Sequence, residues 1–100
     1  MNEKIYDIIR SYFKTQPIDK AWVFGSFARN ENDEDSDIDI IVKFTPNISV
    51  GLFKYCRIIR ELTELLNVKV DLVEEGSLLP FAVESAEHDK ILIYEREYGF

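Results

Sequence analysis

Residues 37–44, Asp-Ile-Asp-Ile-Ile-Val-Lys-Phe, carry a two-residue period that commits this part of the chain to a strand. Ile38, Ile40, Val42 and Phe44 fall on one face, and Asp37, Asp39, Ile41 and Lys43 on the other. A strand that is apolar on one face must sit in a sheet whose apolar face is covered. The opposite face brings two carboxylates, at i and i+2, to the same side of that sheet.

The rest of the chain supplies neighbours and cover. Ile5, Ile8, Ile9, Tyr12 and Phe13 follow a helical spacing, which predicts an amphipathic helix over 3–14 that Pro17 ends. Ala21-Trp22-Val23-Phe24 reads as a short buried strand stopping at Gly25. After Thr45-Pro46-Asn47, a long helix is predicted over 50–66, with Ser49 as its cap. Its buried stripe is read as Leu52, Phe53, Cys56, Ile59, Leu62, Leu65 and Leu66, with Asn67 in the left-handed position after it. Residues 68–73 alternate as a third strand that puts Asp71 on the face opposite Val68, Val70 and Leu72. Pro80 starts a further helix to about residue 88, and 91–94 is a last strand. The expected fold is α/β (in the α+β sense): a small mixed sheet with helices on one face, and the aspartate face open.

One hundred residues suit a single domain spanning 1–100. The net charge of −7 argues against gripping long nucleic acid, which needs clustered Lys and Arg. It is compatible with a nucleotide that arrives with a divalent cation. No apolar run is long enough to span a bilayer, and Met1-Asn2-Glu3-Lys4 has no signal-like core. Cys56, the single cysteine, makes no internal disulfide and fits a reducing cytoplasm. It is expected to be a buried structural thiol.

The chemistry gathers at Gly25-Ser26, Asp37, Asp39 and Asp71. Asp37 and Asp39 share a strand face, and Asp71 on another strand could complete a carboxylate cage for two divalent ions. Asp71 is also placed to take a proton from an attacking hydroxyl. The turn at Gly25-Ser26 is expected to open a helix whose N–H groups face phosphate, with Arg29 adding charge. Taken singly, each feature has an ordinary alternative as a turn or a solvated carboxylate. Glu31, Asp33, Glu34 and Asp35 belong to a run of six acids in nine residues and read as a solvated loop. A calcium loop starting at Asp33 fails, because Ile38 stands where Gly is needed and Phe44 where Glu is needed. No Gly-Lys-Ser/Thr follows Gly25, so a P-loop is excluded. His88, the one histidine, is read as sitting at a helix C-terminus rather than in catalysis.

Gly25-Ser26-Phe27-Ala28-Arg29, followed by Ser36-Asp37-Ile38-Asp39-Ile40, resembles the signature of the polymerase-β-like nucleotidyltransferase superfamily. More narrowly, the chain is similar to its minimal nucleotidyltransferases, over nearly its whole length. The resemblance implies the fold of that superfamily. It places metal carboxylates at Asp37, Asp39 and Asp71, and nucleotide contacts at Gly25, Ser26, Arg29 and Ser36. It further implies Mg²⁺, two ions, with ATP as substrate. Many members have Gly where this chain has Asn30, a residue that tolerates left-handed backbone.

Stand-alone members of this kind are often antitoxins that transfer AMP to a tyrosine hydroxyl of a HEPN-domain ribonuclease toxin. The resemblance therefore implies such a partner, in the cytoplasm. Two alternatives stand beside it: an antitoxin that neutralises by contact alone, and a small-molecule nucleotidyltransferase of the aminoglycoside-modifying type. Tyr94, Tyr98 and Phe100 are either core packing or a partner surface.

Overall fold

The computed structural model describes residues 2–75 and 90–97. The elements run α1 (Glu3–Phe13), β1 (Ile18–Phe24), β2 (Ile38–Phe44), α2 (Leu52–Leu66), β3 (Val70–Glu74) and β4 (Ile91–Glu95). They build one four-stranded sheet in the order β3-β2-β1-β4. β1 is antiparallel to both β2 and β4, whereas β2 and β3 run parallel. Parallel neighbours need a crossover, and α2 is that crossover. The mixed sheet is thus the one expected. The predicted helix from Pro80, together with His88, Tyr98 and Phe100, lies outside the described residues.

Both helices cover the same sheet face. Tyr6, Ile9 and Phe13 of α1 and Ile58, Leu62 and Leu66 of α2 share one core with Ala21, Val23, Ile38, Ile40, Val42, Val70 and Leu72. Asp39 and Asp71 alternate with those strand residues and so lie on the opposite face. Tyr94 is buried and packs edge-on to Phe13, with ring centroids 6.0 Å apart, so its role is core packing.

β1 begins at Ile18, three residues before the apolar run that announced it. Ile18 is fully buried, and the polar residues after it find partners across the sheet. Asp19 accepts a hydrogen bond from Thr45 Oγ1 at 2.8 Å, and Lys20 pairs with Glu95 at 3.2 Å. β3 begins at Val70 rather than at 68, and the alternation around Asp71 is as read.

α2 departs more from expectation. It starts at Leu52 with Gly51 as cap, and no side chain, Ser49 included, caps it. Asn67 takes the left-handed position at φ 53°, as expected. The buried line is Ile58, Leu62 and Leu66, at successive i+4 steps. At about 100° per residue, Phe53 stands about 180° around the helix from Leu62, and Cys56 about 120°. Phe53 is accordingly 92% exposed, and Cys56 is exposed instead of a buried thiol. Leu52 and Leu65 are exposed as well. The expected stripe left out Ile58, which is fully buried, and took in apolar residues that face outward.

This difference can be measured. Ile58→Ala should cost about 2–5 kcal/mol of stability through a core cavity. Phe53→Ala should stay within about 0.5 kcal/mol. Equal shifts of the two urea midpoints would contradict this packing.

Candidate active site

The parallel register of β2 and β3 sets Asp39 beside Asp71. The antiparallel register of β1 and β2 sets Phe24, the last residue of β1, beside Asp39. Three strands thus deliver the Gly25 turn, Asp39 and Asp71 to one end of the open face. Residue identity alone cannot produce this arrangement. A one-residue slip of β3 would turn Asp71 into the core.

Gly25 has φ +75°, the left-handed region. A Cβ at this position would lie 2.7 Å from Asp39 Oδ2. Glycine therefore meets two needs here: the backbone sign, and room for the carboxylate.

The segment after Gly25 is a single closed turn, not the helix expected from the sequence. Arg29 N–H donates to Gly25 O (3.2 Å), Asn30 N–H to Phe27 O (3.2 Å) and Glu31 N–H to Ser26 O (2.9 Å). With Asn30 at φ 57°, these last two bonds form a Schellman closure, which stops the helix after one turn. Asn30 thus does the work of the glycine common at this place. None of these bonds uses the N–H of Ser26, Phe27 or Ala28 as donor.

The carboxylates act on one another. Asp39 is pushed up to about 6 from an ordinary 3.8, chiefly by burial, then by the charge and hydrogen bond of Asp71, then by the charge of Asp37. Two carboxylates facing each other favour a shared proton or a cation between them. Asp37 precedes the first residue of β2, and its Oδ2 lies 3.8 Å from Lys69 Nζ. Among the described residues, no three His, Cys, Asp or Glu side chains stand together closely enough to hold a metal ion. The expected three-carboxylate cage is therefore a facing pair, with a third carboxylate leaning on a lysine. Its all-oxygen donors suit a hard divalent cation such as Mg²⁺. The space beside Asp39 that a Cβ on Gly25 would fill is consistent with that.

The remaining candidates are engaged nearby. Arg29 Nε donates to Glu31 at 3.0 Å. Ser36 Oγ accepts from Asp33 N–H at 2.9 Å and donates to Asp33 Oδ1 at 3.2 Å, closing the acidic loop. Gly25, Asp39 and Asp71 are brought together, whereas Ser36 and Arg29 are held by loop partners. Lys69 was not singled out from the sequence, yet it shares the strand alternation of Asp71 two residues later.

A family model described as a nucleotidyltransferase domain matches residues 3–93. A relative from Methanocaldococcus jannaschii, provisionally named a protein adenylyltransferase, is 38% identical over 97 residues, covering 90% of this chain and 95% of its own. A solved structure provisionally described as a minimal nucleotidyltransferase superposes with a TM-score of 0.70 at 32% identity, over 90% of this chain and 89% of that one. Another, of a tri-AMPylated Shewanella oneidensis HEPN toxin with MNT antitoxin, gives a TM-score of 0.72 at 17% identity, over 96% of this chain and 74% of that one. The polymerase-β-like fold expected from the motif is the fold these neighbours share.

Proposed function

Because the chain belongs to the nucleotidyltransferase domain family and is an enzyme of that class, we propose that it transfers AMP from ATP to a tyrosine hydroxyl of a partner HEPN-domain toxin. The carrying observation is Asp39 facing Asp71 beside the glycine turn. The toxin complex among the structural neighbours and the adenylyltransferase name of the relative support the acceptor and the donor. In this reading the protein is a cytoplasmic antitoxin; among the described residues, no helix is long and apolar enough to cross a membrane.

The facing pair Asp39 and Asp71 would hold Mg²⁺, and Asp37 would join them only on leaving Lys69. The ion supplies neutralisation of the phosphate charge and polarisation at phosphorus. The N–H groups of Ser26, Phe27 and Ala28, with the Ser26 hydroxyl, grip the phosphates. Arg29 reaches them on leaving Glu31. Ser36 holds the loop that presents Asp37. The acceptor oxygen attacks the α-phosphorus, its proton passes to Asp71, and the bond to the β-phosphate breaks with loss of pyrophosphate.

The test is purified protein with Mg²⁺, ATP labelled in the α-phosphate and a HEPN-domain toxin. The expected result is label on a tyrosine of the toxin and a mass gain of one or more AMP groups. Neutralisation of the toxin without label would favour an antitoxin acting by contact alone.

A further inference from the structure

Among the described residues, Asn2 is the one buried polar side chain apart from tyrosine, at 7% exposure. It lies far in sequence from everything it holds. Its Nδ2 donates to Phe27 O (3.3 Å), Asn30 Oδ1 (3.2 Å) and Asn32 Oδ1 (3.0 Å). An amide group has two protons, so three acceptors share them. Asn32 Nδ2 returns a bond to Asn2 Oδ1 at 3.4 Å. Tyr6 OH donates to the same Phe27 carbonyl at 3.2 Å. Burial pushes that phenol up, so it stays a donor across the neutral range.

These partners are the parts that shape the turn. Phe27 O and Asn30 make one of the two Schellman bonds, and Asn30 carries the left-handed backbone. Gly25, where the turn begins, lies against Asp39. We propose that Asn2 is a positioning residue for nucleotidyl transfer, clasping the 25–31 turn from the start of α1 so that it meets the triphosphate preformed. Asn30, in place of glycine, then serves the clasp as well as the turn, because its side chain is one of the three acceptors. Tyr6 is the second arm of the same clasp. The inference rests on the assignment of that turn to the phosphates.

The mechanism is preorganisation. Buried polar groups left without partners disfavour the ordered turn, so a clasp without Asn2 lets it open. Ligand binding must then close it again, which appears in the apparent affinity.

The experiment compares Asn2→Ala with wild type and with Ile58→Val, a core change distant in sequence from the turn. In Asn2→Ala, amide exchange of Arg29, Asn30 and Glu31 should rise on the order of ten-fold, while that of Leu62 and Leu66 stays unchanged. KM for ATP should rise about ten-fold with kcat kept within a few-fold. Ile58→Val should lower the melting temperature without raising KM. Asn2→Asp, which offers no donor to three oxygen acceptors, should not rescue. Unchanged exchange in the turn, or an equal KM rise in Ile58→Val, overturns the clasp. A wild-type protein that transfers nothing overturns the nucleotide reading instead, and exchange alone then decides the clasp.

Discussion

Asp39→Asn should cut nucleotide transfer on the order of 10³-fold and, at pH 8 without metal, melt at a higher temperature than the wild type. The two effects share one cause. Asp39 is pushed up to about 6, mainly by burial and then by Asp71 and Asp37. In the unfolded chain it titrates near 3.8. The folded state therefore holds this proton more tightly than the unfolded state does. Stability falls as pH rises from about 4 to about 6, and the metal-free fold carries the whole penalty above that.

A neutral amide removes the repulsion. Because the site faces solvent, screening reduces the gain to about 1 kcal/mol. In a domain of this size that is about 4–8 °C in melting temperature. In the proposed reaction the same change removes a carboxylate that would hold the cation, and transfer should fall on the order of 10³-fold. Thermal melts of both proteins at pH 4 and pH 8, with a transfer assay at pH 8, check this. The stability gain should vanish at pH 4. A variant less stable than wild type at pH 8 would show that Asp39 is not strained by its neighbours.

Gly25→Ala should separate stability from activity in the other direction. The new Cβ would stand 2.7 Å from Asp39 Oδ2, on a backbone at φ +75°. The left-handed backbone costs roughly 1–2 kcal/mol with a side chain present. The close contact is with the far end of a side chain, which can swing away, so the fold survives. In the proposed reaction, swinging away moves a carboxylate that must stay in place. A displacement of about 1 Å at such a group costs on the order of 10²-fold in rate. Urea denaturation should show the modest destabilisation, and the transfer assay the larger loss. Transfer at the wild-type rate would mean that Asp39 is not placed by Gly25.

Much of this was legible from the sequence because it is local. Alternation is a property of neighbouring residues, and it placed Asp39 and Asp71 on the open side of their strands. Asn67 and Asn30 both adopt the left-handed backbone read for them. The errors came where local pattern is ambiguous. In α2 several apolar residues point outward, and only packing shows that Ile58, Leu62 and Leu66 form the buried line. In β1 the polar start at Asp19 and Lys20 looks like loop until its sheet partners are known. After Gly25, a helix and a single turn begin with the same residues, and the left-handed Asn30 decides between them.

By itself, the sequence determined which strand face would carry Asp39 and Asp71. Side-chain period depends only on backbone geometry, and acidic residues in an apolar alternation have one face to occupy. Only the tertiary structure decided that Asp39 meets Asp71 while Asp37 leans on Lys69, that Gly25 clears Asp39, and that Asn2 holds a turn 25 to 30 residues away. Register across a parallel pair is set by a helical crossover packing on the sheet, and buried polar contacts form only once distant segments have been driven together. Neither leaves a period in the chain to be read.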